Sequence, residues 1–310
     1  MNVQNSPLSK HFISLILILF PVAGQVSCNL IKEENRDPEF IKAQAQRLGY
    51  DLENPGEKIR LHYDLEEISG LSFVEEGILA CVQDELGRVY FFSLKDKKIL
   101  YSDKFSGNGD YEGVEFVNGM VYVMENDGTL YHYRTIVGEG TELQAQSIKT
   151  PLTLRNDVEG LGLLATSEKL LIACKGKGDI DGEKVKGKAI YAFDLKKNQF
   201  ERKPFLTIGK GDITKFIKKN PDNYKIKKTP NFKPSGIAMH PKTKKIYVLN
   251  SVGKLLIILN ENGVIEDLAV LNSRIFRQPE GICFAPNGDL YIASEGQGGR
   301  GYILTFDYRK

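Results

Sequence analysis

Five times along the chain, an acidic or hydroxyl-bearing residue stands directly before a glycine that opens a short apolar strand. The copies are Glu67-Ile-Ser-Gly70-Leu, Asp110-Tyr-Glu-Gly113-Val, Asp157-Val-Glu-Gly160-Leu, Lys233-Pro-Ser-Gly236-Ile and Gln278-Pro-Glu-Gly281-Ile. Three of the four intervals between these glycines fall in the roughly 40–50 residue range of a four-stranded propeller blade. A repeat of that length constrains the fold more than any local motif, because each unit can bury its apolar faces only against its neighbours.

The order of elements within each unit supports the same reading. In the first, Gly70-Leu-Ser-Phe, Ile78-Leu-Ala-Cys-Val, Arg88-Val-Tyr-Phe-Phe and Lys98-Ile-Leu-Tyr follow one another as short strands. The fourth runs Gly236-Ile-Ala-Met, Lys245-Ile-Tyr-Val-Leu, Lys254-Leu-Leu-Ile-Ile and Val264-Ile-Glu-Asp-Leu-Ala-Val. In the fifth, Asn287-Gly288 separates two strands, and that pair predicts a type I′ hairpin turn with positive φ at both residues. This unit stops after Tyr302–Phe306, but Lys58 to Leu65 alternates apolar and polar residues and can return as the missing fourth strand. Such a pairing closes the ring and removes exposed edges.

The expected fold is therefore all-β, a β-propeller of five four-stranded blades, with six as the alternative. The long interval from Gly160 to Gly236 is where a sixth blade would lie. The third unit already has four strands by Ile208, however, and the remainder, 209–231, contains Asp212-Ile-Thr-Lys-Phe-Ile-Lys-Lys219, which reads as a helical insertion. The propeller then spans 57–310, one domain of ordinary size for an all-β fold. A core without Trp and with four Met must rest on Val, Ile, Leu, Phe and Tyr, which suit pleated, half-buried surfaces.

The N-terminus reads as an export signal over 1–27. Lys10 and His11 precede an apolar run from Phe12 to Ala23, too short for a comfortable permanent span. Gln25-Val26-Ser27-Cys28 resembles a bacterial lipobox, which makes Cys28 the expected lipidated first residue and residues 28–56 a tether with a short helix; ordinary cleavage near Ala23 or Gly24 is the other reading. Lys32-Glu33-Glu34 is similar to the surface-export signals of some Gram-negative lipoproteins, and a solvated tether accounts for it almost as well. The expected location is a cell-envelope membrane, outer membrane or surface, with a periplasmic or secreted protein as the alternative. In the tether, Asp37-Pro38 predicts a helix start and Gly49 its stop. Cys81, Cys174 and Cys283 are odd in number, lack metal-ligand spacing and lie in apolar strands, so they are expected in the core as free thiols.

In a propeller the first strand of each blade lines the central channel, and its start meets the end of the second strand at one mouth. The residues before the repeat glycines are Ser69, Glu112, Glu159, Ser235 and Glu280, and those ending the second strands are Asp84, Glu125, Lys175, Asn250 and Glu295. Two positions before the first set stand Glu67, Asp110 and Asp157. Nine carboxylates and one lysine are thus predicted at a single mouth. Crowded carboxylates raise one another's pKa unless a cation or hydrogen bonds compensate. Hard oxygen ligands from several segments are what Ca²⁺ takes, so a channel-mouth Ca²⁺ is one reading. The other is that each Glu before Gly bonds the neighbouring backbone and keeps the blades in register. An even structural device should repeat in every blade, and Lys175 and Asn250 break the pattern.

Other chemistry finds little support in the residues. A net charge of +2 gives no reason to expect nucleic acid, and a monomer is expected. His62, His132 and His240 are scattered, and neither a Gly-x-Ser-x-Gly elbow nor a P-loop occurs. Lys175-Gly-Lys-Gly is a candidate anion contact on the same face, with a solvated loop as the more ordinary reading.

Seven collinear motifs carry a family resemblance. Glu67-Ile-Ser-Gly-Leu-Ser, Asp84-Glu-x-Gly-Arg-Val-Tyr, Gly109-Asp-Tyr-Glu-Gly-Val, Val158-Glu-Gly-Leu, Leu171-Ile-Ala-Cys-Lys, Pro234-Ser-Gly-Ile-Ala-Met-His-Pro and Gln278-Pro-Glu-Gly-Ile resemble the SdiA-regulated (YjiK-like) propeller family. The resemblance runs from Tyr50 to Tyr308 and implies a secreted or membrane-attached propeller, distantly similar to phytase-like and NHL-type propellers, with no established reaction. Two functions follow as expectations: an envelope binding module presenting the acidic mouth to a small molecule or protein, or a metal-dependent hydrolase of a phosphoester or lactone using the same ring.

Overall fold

The structure is a computed structural model describing residues 37–136, 138–224 and 226–310. The export signal, Cys28 and the acidic cluster after it lie outside the described residues. In chain order, α1 (Pro38–Leu48) and β1 (Glu57–Arg60) precede blade 1, which is β2 (Ile68–Glu75), β3 (Ile78–Gln83), β4 (Leu86–Ser93) and β5 (Lys98–Asn108). Blade 2 is β6 (Tyr111–Val117), β7 (Met120–Glu125), β8 (Thr129–Arg134) and β9 (Gln146–Lys149). Blade 3 is β10 (Val158–Leu164), β11 (Lys169–Cys174), β12 (Lys188–Asp194) and β13 (Gln199–Ile208), followed by α2 (Lys210–Lys219) and α3 (Pro221–Tyr224). Blade 4 is β14 (Gly236–Met239), β15 (Ile246–Asn250), β16 (Leu255–Leu259) and β17 (Ile265–Val270). Blade 5 takes β18 (Pro279–Phe284), β19 (Leu290–Ser294) and β20 (Tyr302–Phe306), and β1 completes it in the sheet order β1-β20-β19-β18.

Five four-stranded sheets make a five-bladed β-propeller. The inner strand β2 contacts β6, and so on through β10, β14 and β18, which returns to β2 and closes the ring. The long interval holds helices rather than a sixth blade. The closing strand is shorter than the alternation predicts. It pairs from Glu57 opposite Thr305 to Arg60 opposite Tyr302, and Tyr63–Leu65 then coils into a 3-10 turn capped by His62 Nδ1.

The repeat glycines explain how the inner strands come so close. A Cβ on Gly113 would lie 2.7 Å from Leu161 Cβ of blade 3, and one on Gly236 would lie 2.3 Å from the Glu280 carbonyl oxygen of blade 5. Close backbone approach near the axis, not a turn, is what requires glycine there.

The blade 5 hairpin differs from its sequence expectation. Gly288 has φ +94°, whereas Asn287 is not in the left-handed region, and the Gly288 N–H donates to the Ala285 carbonyl at 2.9 Å. Ala285-Pro286-Asn287-Gly288 is a turn with proline second and glycine fourth, the arrangement that type I favours. A two-residue Asn-Gly hairpin would need an N–H from the residue before Asn287, which Pro286 lacks, so the turn forms one residue earlier with Ala285 and Asp289 as the bonded pair.

Outside the ring, α1 keeps its predicted ends, with Asp37 accepting from the Glu39 N–H at 3.0 Å and Gly49 left-handed at φ +85°. Arg47 of α1 meets Asp267 of β17 at 2.7 Å, and the Tyr224 hydroxyl of α3 donates to the same carboxylate at 2.9 Å. That one aspartate ties the N-terminal helix and the insertion to blade 4. Cys81, Cys174 and Cys283 are free and buried. No helix among the described residues is long and apolar enough to cross a membrane.

Candidate functional site

The mouth is built by a repeated irregularity. In blades 1, 2, 3 and 5 the ladder between the first two strands slips at the residue before the glycine, for example from Tyr111 opposite Glu125 to Gly113 opposite Met124. A bulge leaves one residue unpaired and re-aims its side chain. The bulged residues are Ser69, Glu112, Glu159 and Glu280, and with Leu71, Leu161 and Ile237 they line the axial cavity. That cavity is only about 10 Å³, room for roughly one water. Anything larger than a water or a bare ion therefore has to meet the carboxylates at the mouth, not inside the channel.

Serine and glutamate directly before the repeat glycine do different work. Ser69 Oγ donates to the Tyr111 carbonyl at 2.6 Å and Ser235 Oγ to the Pro279 carbonyl at 2.8 Å, each reaching the next blade. These two serines hold register. Glu112 has no hydrogen-bond partner among the described residues, Glu159 pairs with the Lys175 ammonium, and Ser251 acts on Glu280 only to oppose the rise of its carboxyl.

The acidic residues interact as a group. Burial pushes the Glu112 carboxyl far above the usual carboxylate range, and Glu159, Asp110 and Glu280 push it further while Lys175 opposes them. Glu280 is raised well above its ordinary value by burial, then by Glu159 and Glu295. Glu295 is pushed up to about 7 by burial, with Asp84, Glu67 and Glu159 adding to it. Asp84 rises to about 6 through burial and through Glu67, Glu85 and Asp110, and its Oδ1 is buried without a hydrogen-bond partner. Asp157 acts on both Glu159 and Lys175 from a left-handed backbone at φ +50°. Burial disfavours the charge on Lys175, but Glu159 and then Asp157 and Glu280 outweigh it and hold the ammonium ionised.

Eight of the nine predicted carboxylates thus share one electrostatic neighbourhood: Glu67, Asp84, Asp110, Glu112, Asp157, Glu159, Glu280 and Glu295. Glu125 does not join them, since its Oε2 accepts from the Tyr131 hydroxyl of its own blade at 2.9 Å. Asn250 is fully buried and ties its own turn to the segment that leads into β14. Its Oδ1 accepts from the Lys233 and Gly253 N–H groups, both at 3.1 Å, and its Nδ2 donates to the Asn231 carbonyl at 2.8 Å. Within the Lys175-Gly-Lys-Gly loop, the Lys175 ammonium is paired with the Glu159 carboxylate.

Several participants escaped sequence reasoning. Gln278 Nε2 bonds Glu295 Oε2, Asn126 Nδ2 bonds Asp110 Oδ2, and Ser251 opposes the rise of the Glu280 carboxyl. Gln278 was legible, because it occupies the same repeat offset as Glu67, Asp110 and Asp157. The other two sit in loops just past the second strands, where no periodicity marks them.

The oxygen-rich donor set has the chemistry that Ca²⁺ prefers. As they stand, however, no three of the described His, Cys, Asp and Glu residues are grouped to hold a metal ion. Glu159, Glu295, Asp110 and Glu125 are turned to protein partners, which is why the carboxylates crowd without converging.

Fold and site together define a class: a five-bladed propeller whose bulged inner strands gather carboxylates at one channel mouth. A model of the SdiA-regulated family matches residues 58–297, and the chain belongs to that family. No curated protein matches it. Among solved structures it is similar to the PQQ-bound aldose sugar dehydrogenase from Streptomyces coelicolor, at 10% identity and TM-score 0.50, over 82% of this chain and 97% of that one. It is similar to a luciferin-regenerating enzyme at 12% identity and TM-score 0.46, over 82% and 95%. A structural-genomics protein of unknown function from Bacteroides thetaiotaomicron aligns at 13% identity and TM-score 0.49, over 82% and 61%. At such identities the likeness concerns the fold alone.

Proposed function

We propose that this propeller is an exported cell-envelope binding module, held at a membrane through lipidated Cys28, whose acidic mouth accepts a cation. The observation that carries the reading is Glu112, crowded by Glu159, Asp110 and Glu280 with Lys175 as the opposing charge and no hydrogen bond of its own among the described residues. An arriving cation exchanges for the protons that burial and crowding hold on these carboxyls, so binding should release protons and tighten as pH rises. Ca²⁺ is the first cation to test because its flexible, oxygen-rich coordination tolerates ligands drawn from several blades. An organic ammonium on a small molecule or a protein is the second.

Calorimetry of the full chain with Ca²⁺, in two buffers of different ionisation enthalpy, tests this reading. The expected result is saturable binding with proton release that disappears when Glu112, Glu159 and Glu280 are changed together to Gln. Absence of binding by Ca²⁺ and by tetramethylammonium would falsify the reading, as would binding that survives the triple change. A hydrolase would need a metal with an open coordination position at the same mouth. Chelator-sensitive turnover on phosphoester or lactone substrates would replace the binding reading with that one.

A further inference from the structure

A second concavity lies far from the axis, on the outer wall between blades 3 and 4. It is a cavity of about 440 Å³ between the end of β13, the helical insertion and the turn that leads into β17. That size falls within the roughly 300–1,000 Å³ typical of small-molecule sites. The insertion is the element that departs from the repeat, and without α2 the cavity would have no third wall.

The lining is amphipathic in a directed way. Ile208, Phe216, Val264 and Ile265 form an apolar wall, and Val264 is left 57% exposed. Lys215 and Lys219 border it from one face of α2, four residues apart, so they lie one above the other. Neither lysine has a carboxylate partner among the described residues. Asp212 also lines the cavity, but its Oδ2 accepts the Gly209 N–H at 3.1 Å and so belongs to the N-terminal end of the helix. The carboxylates of the facing hairpin are engaged elsewhere: Glu261 accepts from Thr166 at 3.1 Å and Glu266 pairs with Lys245 at 2.9 Å. Positive charge is therefore unanswered at the Lys219 end of an apolar recess.

We propose that this recess binds a small anionic amphiphile, one carboxylate or phosphate head on a single short apolar chain. The head lies between Lys215 and Lys219, and the chain covers Phe216, Val264 and Ile265. Volume limits the ligand to one chain, and charge excludes cationic amphiphiles. The site is independent of the acidic mouth, whose charge is opposite.

Titration of the full chain with octanoate and with octyl phosphate tests the proposal and separates the two sources of the head group. Saturable binding of at least one is expected, weakened about tenfold or more by Lys215→Glu with Lys219→Glu, a change of about 1.4 kcal/mol. Val264→Asp, on an exposed turn where folding tolerates it, should weaken binding as well. Glu112→Gln at the mouth should leave it unchanged. Failure of both probes to saturate overturns the proposal. Equal binding of octyltrimethylammonium, or affinity indifferent to Val264→Asp, overturns it too.

Discussion

Lys175 answers a charge that would otherwise be stranded. Glu159 beside it is 5% exposed, and the pair is the mouth's one internal neutralisation among the described residues. Removing one partner of a buried pair typically costs roughly 3–5 kcal/mol. Lys175→Met should fall at the low end of that range in chemical denaturation at neutral pH, because Glu159 can take up a proton instead. The deficit should shrink toward pH 5, where that proton is freely available. A mutant equally impaired at pH 5 and pH 8 would show that packing of the lysine stem, not charge, is what matters. Ser69 makes the complementary case for register. Its hydroxyl satisfies a carbonyl of the next blade, and Ser69→Ala leaves that buried acceptor unpaired, a loss of about 1–3 kcal/mol.

At the scale of elements, the inner strand couples two requirements. The glycine lets adjacent blades approach, and the bulge just before it turns a side chain into the mouth. Gly236→Ala places a methyl group 2.3 Å from the Glu280 carbonyl oxygen, so the backbone of blade 5 must shift. Overpacking of this kind costs about 1–3 kcal/mol, and the shift should also disturb Glu280. Thermal unfolding and Ca²⁺ titration of the same variant should therefore both change. Loss of stability with intact mouth behaviour would separate the two requirements.

For the whole molecule, the mouth's carboxyls make stability pH-dependent in a direction opposite to ordinary acid denaturation. Asp84 and Glu295 are raised to about 6 and about 7 in the folded chain, above the usual range near 4. Between those values the folded state holds more protons than the unfolded one, so stability declines as pH rises through that window. Other carboxylates, such as Glu266 beside Lys245, are lowered and act in the opposite sense. The mouth's share is therefore read as a difference: Glu295→Gln should gain stability relative to the native chain between pH 5 and pH 8. A constant difference across that range would show that Glu295 is ionised throughout. Closure by β1 matters at this scale too, because deleting residues 57–60 bares the edge of β20, and self-association by gel filtration is the expected result.

Most of the fold was readable because strand alternation and glycine spacing are one-dimensional signals. The five blades, the helical insertion and the return of the N-terminal strand all follow from period and length. Gathering of carboxylates was legible too, since it depends only on register within a repeat. Which of them face one another was not. Glu125 and Asn250 occupy the same repeat position as Asp84 and Glu295, yet a tyrosine on a neighbouring strand takes one and a loop backbone takes the other. Proline overrode the turn preference of Asn-Gly, and helix α2 met a hairpin more than forty residues away to form a recess. Those outcomes depend on hydrogen-bond partners and packed surfaces supplied by distant segments, which no local pattern encodes. The sequence determined the ring and the placing of acidic residues at its mouth; only the tertiary structure decided which charges are paired, which are left crowded, and where the second recess opens.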